Sequence, residues 1–166
     1  MSQWNLTRRG AARALRAAAL AAALAGAAVI PTAGGDPGGA ARVDLELVLA
    51  VDASSSVSAG EFDLQMLGLA QAFRDPKVAA AIRASGDLGI AVALIQWSNS
   101  RKQALAVDWA ALRSAEDTVA FAEEVEAAPR FLIGGGTAIG GALQYAIRQL
   151  EINAFAGRRR VIDVSG

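Results

Sequence analysis

The sequence predicts an α/β fold of three layers, with a mostly parallel central sheet flanked by helices. Three observations carry this. Strand-like apolar runs alternate along the chain with segments of helical periodicity, the pattern of a sheet with helical crossovers. Residues 43–51 pass from alternation into a continuous apolar run, which suits a central strand buried on both faces. The chain has 166 residues, 54% of them apolar, enough for one domain with a real core.

The elements follow in order. Ser58 begins a helix, with Glu61 completing a Ser-x-x-Glu capping box. Phe62, Met66, Leu69 and Phe73 recur at helical spacing. Asp75-Pro76 stops this helix and caps another, since proline fits a first helical turn, and Val78 and Ile82 continue the apolar face. Residues 88–97 read as a second buried strand, and residues 103–107 as a shorter third at an edge. Residues 115–127 read as an amphipathic helix with Val119 and Val125 inward. Gly134-Gly135-Gly136 is a loop. Thr137 or Ala138 then opens a helix with Ile139, Leu143, Ile147 and Leu150 on one stripe. A last strand starts at Arg160. No internal repeat is present.

The amino terminus reads as an address. Residues 1–16 are polar and basic, with Arg8, Arg9, Arg13 and Arg16, and residues 17–30 are an uncharged apolar run. That run is short for a membrane span and fits the apolar region of a secretory signal. Ala25-Gly26-Ala27 and Pro31-Thr32-Ala33 are candidate cleavage regions. Thr7-Arg8-Arg9 resembles a twin-arginine start without the rest of that pattern. Residues 1–33 are therefore expected to be a signal peptide, and the Gly-rich residues 34–42 a flexible linker. The folded part, residues 43–166, is expected in the periplasm or secreted, with no membrane span after cleavage. An uncleaved anchor is the competing reading.

Composition excludes several kinds of chemistry. The chain has 16 basic and 16 acidic residues, and the N-terminal segment takes four of the basic ones, leaving 12 against 16 in the body. A mildly acidic body argues against a nucleic-acid partner. The one basic run, Arg158-Arg159-Arg160, reads as a solvated strand entrance. With no cysteine and no histidine, thiolate and imidazole metal sites and Ser-His-Asp triads are excluded. Any metal must be held by oxygen, which points to a hard cation.

One constellation stands out. Asp52-Ala53-Ser54-Ser55-Ser56 follows the first strand, where open α/β sheets keep their ligands. It spaces a carboxylate and two hydroxyls two residues apart, and in a turn these can aim at one point. Such a site is oxygen-only and weakly charged, so a divalent cation in it would keep open positions for waters or for an acidic group from a partner. Asp and Ser also favour turns and helix starts simply by bonding nearby backbone. Thr137, after the glycines, offers a third hydroxyl from a separate loop; its plainer reading is a helix N-cap. A phosphate loop is a weak reading, because no Gly-Lys-Ser/Thr follows.

At these residues the chain resembles a known family. The segment Asp44-Leu45-Glu46-Leu47-Val48-Leu49-Ala50-Val51-Asp52-Ala53-Ser54-Ser55-Ser56 is similar to the first strand and Asp-x-Ser-x-Ser motif of von Willebrand factor type A domains. Trp97-Ser98 after the second strand agrees, and Gly135-Gly136-Thr137-Ala138-Ile139-Gly140-Gly141-Ala142-Leu143 resembles the family's threonine-bearing loop and following helix. The resemblance covers residues 43–166 and is nearest to an exported bacterial subgroup of unknown function. The first motif is degenerate alone; together with the threonine loop it is specific.

The resemblance implies a Rossmann-like fold and a metal-ion-dependent adhesion site, with Asp52, Ser54, Ser56 and Thr137 as ligands, some through water. The cation would be Mg2+, alternatively Mn2+ or Ca2+. The partner would be a protein, with an acidic side chain completing the metal shell. One departure follows. The family has a further Asp, usually followed by Gly, just after the fourth strand, whereas Asp163 in Asp163-Val164-Ser165-Gly166 falls inside the strand. The expected carboxylate would come after Gly166. The domain is thus expected to be incomplete at the C-terminus, with an unpaired last strand and weak or no metal binding by these 166 residues. The leading expectation is an exported, non-enzymatic binding module. The alternatives are a structural or assembly domain without functional metal, and a metal-assisted hydrolase.

Overall fold

The computed structural model describes residues 39–165. The expected signal peptide and most of the linker lie outside the described residues, as does Gly166. The elements are β1 (Ala41–Asp52), α1 (Ala59–Phe73), α2 (Pro76–Ala84), β2 (Ile90–Trp97), β3 (Gln103–Leu112), α3 (Ala115–Ala127), α4 (Ile139–Ile152) and β4 (Phe155–Ser165). The strands form one sheet in the order β3-β2-β1-β4. β1 pairs in parallel with β2 and with β4, and β3 closes the far side as an antiparallel edge on β2. The expected α/β class is the one observed.

β1 is the axis of the sheet because both its faces are apolar. Leu45, Leu47, Leu49 and Val51 point into one core, with Val92 and Leu94 of β2, Phe62, Met66 and Phe73 of α1, Val78 and Ile82 of α2, and Phe121 and Val125 of α3. Val48 and Ala50 point into a second core, with Ile95 and Trp97 of β2 and Ala142, Ala146 and Leu150 of α4. Three helices thus cover one face of the sheet and α4 the other. The rings of Phe73 and Phe121 meet edge-on at 4.8 Å, joining α1 to α3 inside the larger core.

Helix starts follow the chemistry of their caps. The Ser58 hydroxyl accepts from the Glu61 amide, and the Glu61 carboxylate accepts from the Ser58 amide. The Ser58 amide and then the Ser58 hydroxyl, both donating to the Glu61 carboxylate, hold that carboxyl below its usual range. Asp75 caps α2, accepting from the Lys77 amide at 2.8 Å, with Pro76 in the first turn. Ser114 and Asp117 make a second capping box on α3.

Several expectations are corrected. β3 runs to Leu112 instead of stopping at Val107, because Trp109 packs beside the second core and Leu112 is buried in the first. In α3, Val125 is buried but Val119 is 42% exposed. The inward stripe is Thr118, Phe121, Ala122 and Val125, and Thr118 can join it because its hydroxyl donates to the Ala115 carbonyl. In α4, of the four residues on the apolar stripe only Leu150 is buried; Ile139, Leu143 and Ile147 are 53%, 37% and 48% exposed. The small Ala142 and Ala146 face the sheet instead, so the helix backbone lies close to Trp97.

The basic run 158–160 is solvent-exposed at Arg158 and Arg160, as read, but it is not a strand entrance, since the last strand begins at Phe155 and not at Arg160. It lies within β4, beside two buried carboxylates of β1. Arg158 Nη1 is 3.0 Å from Asp44 Oδ1, and Arg160 Nε is 3.3 Å from Glu46 Oε1. Asp44 also accepts from the Leu88 amide, and Glu46 from the Gly157 amide and the Asn153 side chain, at 2.7, 2.6 and 2.8 Å.

Two outcomes are expected. Glu46→Ala strands the Gly157 amide and the Asn153 side chain, and should lower the unfolding free energy by about 2–4 kcal/mol in urea titrations; an unchanged midpoint would count against the pairing. The second concerns Asp163. By strand alternation it lies on the side of β4 that Val161 turns to the larger core, and burial pushes its carboxyl above the usual range. An acid raised in the folded state costs nothing below its unfolded pKa and opposes folding increasingly as pH rises through the folded value. Asp163→Asn should therefore raise Tm at pH 7, with the gain vanishing at acid pH; a gain independent of pH would refute this account.

Candidate functional site

The site is built where β1 ends. Asp52 is the last residue of the strand, in register with Trp97 of β2, and the Ala53 amide still donates to the Trp97 carbonyl at 2.8 Å. The chain then turns. Asp52 Oδ1 accepts from the Ser54 amide at 2.7 Å, an arrangement in which an Asp side chain substitutes for a backbone turn. The turn brings the alternate hydroxyls together, with Ser54 Oγ 3.0 Å from Ser56 Oγ. Thr137, from the loop before α4, donates its hydroxyl to Ser54 Oγ at 3.1 Å. Three hydroxyls from two loops thus form a chain centred on Ser54, whose amide is bound to the Asp52 carboxylate. Asp52 and Ser54 are buried, while Ser56 and Thr137 are exposed, so the group has a fixed floor and an open rim.

The plainer reading of Thr137 does not hold. α4 begins at Ile139, its N-cap is Ala138, and no side chain caps it. The Thr137 hydroxyl is instead committed to Ser54. Two glycines shape the approach. Gly134 and Gly135 have φ of +68° and +111°, backbone that side-chain-bearing residues rarely adopt. A Cβ on Gly135 would also lie 2.5 Å from Ser98 Oγ.

Residues that the sequence did not single out for the site hold this loop in place. Gln96, buried near the end of β2, donates to the Pro129 carbonyl and accepts from the Phe131 amide, both at 2.8 Å. Ser98 donates to the carbonyls of Gly134 and Gly136 at 3.0 and 3.1 Å, and its own carbonyl accepts from the Ala138 amide at 2.9 Å. Ser55 donates to Gly135 from both amide and hydroxyl, at 3.1 and 2.7 Å. Arg130 reaches from the loop to the turn after β1, donating to the carbonyls of Ala53, Ser54 and Val57. One signal was available: a Gln at the end of a wholly apolar strand must find partners inside the protein.

The donor set is one carboxylate and three hydroxyls, all hard oxygen, with the hydroxyls linked through Ser54 and the rim open to solvent. That is the chemistry a hard divalent cation takes, with positions left for water or an incoming carboxylate. The set is light in charge: among the described residues no group of three or more His, Cys, Asp or Glu is placed to hold a metal. Asp163 is not part of it, lying in β4 in register with Leu49 rather than with the turn after Asp52.

The sheet order, with β1 between two parallel neighbours, and the two hydroxyl-bearing loops at the carboxyl end of the sheet agree with the von Willebrand factor type A resemblance read from the sequence. Among solved structures, the chain is similar to the von Willebrand factor domain of the type V pilus tip protein Mfa5 from Porphyromonas gingivalis. The identity is 18% and the TM-score 0.45, over 72% of this chain and 36% of that one. The chain therefore matches little more than a third of that protein's length. A search of curated proteins finds no match. The family described as "Protein of unknown function (DUF1194)" matches residues 42–166. With three quarters of its length matched, the chain belongs to the DUF1194 family of proteins of unknown function.

Proposed function

We propose that the domain is an exported, non-enzymatic binding module that engages a protein partner through a divalent cation. Asp52, Ser54, Ser56 and Thr137 are the proposed ligands, some through water, and Mg2+ the proposed cation, with Mn2+ or Ca2+ as alternatives. An acidic side chain of the partner completes the shell. The observation that carries this reading is the contact of Thr137 with Ser54. It joins two loops through hydroxyls alone, and Thr137 is left with no capping role in α4.

Other features support the parts of this reading. A cation held by one carboxylate keeps residual positive charge, which draws an anionic ligand from outside. Histidine, the commonest acid–base catalyst, is absent from the sequence, and Asp52 is the one titratable side chain among the four proposed ligands. Export rests on the basic, then apolar, first 33 residues. No helix among the described residues is long and apolar enough to cross a membrane. A second reading, a structural or assembly domain without functional metal, is favoured by one observation: the hydroxyls already satisfy one another by hydrogen bonds, so the turn is complete without a cation.

Two measurements decide between these. Titrated with Mn2+ into the millimolar range and followed by electron paramagnetic resonance, the protein should bind the ion. Asp52→Ala should weaken that binding at least about tenfold, since it removes the charged ligand. Equal binding by both proteins would rule out this site, and no binding by either would favour the metal-free reading. Export is checked by fusing residues 1–42 to alkaline phosphatase, which folds actively only outside the cytoplasm. The fusion should be active, and an inactive, stably expressed fusion would overturn the assignment.

A further inference from the structure

We infer that Arg130 is the positioning residue of the site: it fixes the peptide planes on either side of Ser54 and thereby aims the central hydroxyl of the cluster. The inference rests on the proposed cation site for its functional meaning, but its structural half stands on contacts alone.

One nitrogen of the guanidinium, Nη2, donates to three carbonyls of the turn after β1: Ala53 at 2.9 Å, Ser54 at 2.9 Å and Val57 at 3.0 Å. Nε donates backward to the Leu132 carbonyl at 3.1 Å, within the loop that carries Thr137. The guanidinium lies over the Phe62 ring, 5.1 Å from its centroid, so the apolar base of α1 supports the fork from beneath. Arg130 thus spans the two loops whose hydroxyls meet.

Its effect on Ser54 is specific. The peptide between Ala53 and Ser54 is held at its N–H by Asp52 Oδ1 and at its carbonyl by Arg130. The peptide between Ser54 and Ser55 is held at its carbonyl by Arg130 and by the Val57 amide, and at its N–H by the Gly135 carbonyl. Both planes flanking Ser54 are pinned at both ends, so its φ and ψ are set, and with them the direction of Cβ, from which Oγ reaches Ser56 and Thr137. Two of these five hydrogen bonds come from Arg130. Oγ of Ser54 is the atom that meets both Ser56 and Thr137. No ion pair among the described residues engages this guanidinium; carbonyl oxygens and a ring face are its partners. An arginine suits this task where a lysine does not, because the planar fork serves two loops at once and stacks on an aromatic face.

The test uses Arg130→Met and the milder Arg130→Lys, with two readouts on the whole chain. The first is amide hydrogen exchange without metal. The Ser54 and Ser55 amides should exchange at least about tenfold faster in Arg130→Met, while the amides of β2 keep their protection, and Arg130→Lys should recover part of the difference. The second is Mn2+ affinity, expected to fall about tenfold in Arg130→Met and less in Arg130→Lys. Unchanged exchange at Ser54 and Ser55 in a folded variant overturns the inference. So does acceleration spread evenly over β1 and β2, which marks a general loss of stability. If exchange responds as expected but the unsubstituted protein binds no Mn2+, the proposed cation reading fails and Arg130 stands as the organiser of the turn. If the unsubstituted protein and both variants bind Mn2+ equally, its role in positioning the site is refuted.

Discussion

The parallel pairing of β1 on both of its edges is the constraint from which the rest follows. A strand paired on two sides and buried on two faces has no freedom to shift. Its neighbours inherit their places from it: β2 and β4 by hydrogen bonding, α1, α2 and α3 by packing on its odd-numbered side chains, and α4 by packing on Val48 and Ala50. The same rigidity delivers Asp52 to a fixed point at the end of the strand. A binding group placed there requires no rearrangement of the core to hold its position, which is the advantage of sites built on regular elements.

Much of this was legible in the sequence because it depends on local chemistry. The apolar run of β1, the Ser58–Glu61 box and the Asp75-Pro76 break each act within a few residues, and each stands as read. The errors came where periodicity alone had to choose a face. In α4 the large residues Ile139, Leu143 and Ile147 form a good stripe, yet Ala142 and Ala146 take the inward side. Close approach to Trp97 decides this, and small side chains permit it. In α3, Thr118 outcompetes Val119 because its hydroxyl finds a partner within the helix. Burial of a polar group turns on its hydrogen bonds, which a count of apolar residues does not register.

The candidate site divides the same way. Asp52, Ser54 and Ser56 lie within one short turn, so their meeting could be read from spacing. Thr137 was read from its glycine-rich loop and from family resemblance, and its contact with Ser54 depends on the fold bringing two distant loops together. Gln96 and Arg130 were not singled out. Each works by binding backbone carbonyls and amides, and backbone has no signature in a sequence. What spacing leaves open is how a loop is held, and here that is done by side chains from neighbouring segments reaching across.

The carboxylates of β1 have a further consequence. Asp44, Glu46 and Asp52 all occupy even positions, so they share one face of the strand, opposite Leu45, Leu47, Leu49 and Val51. Were the strand to slide by a single residue during folding, every side chain would change face. Two or three negative charges would then enter the compartment of Phe62, Phe73 and Phe121, while four large aliphatic groups would be driven against the arginines of β4. Such a misaligned chain has no way to shelter its charges. The acidic residues at the start of β1 therefore disfavour a sheet threaded one residue out of register, and favour the alignment in which the strand finishes on Asp52.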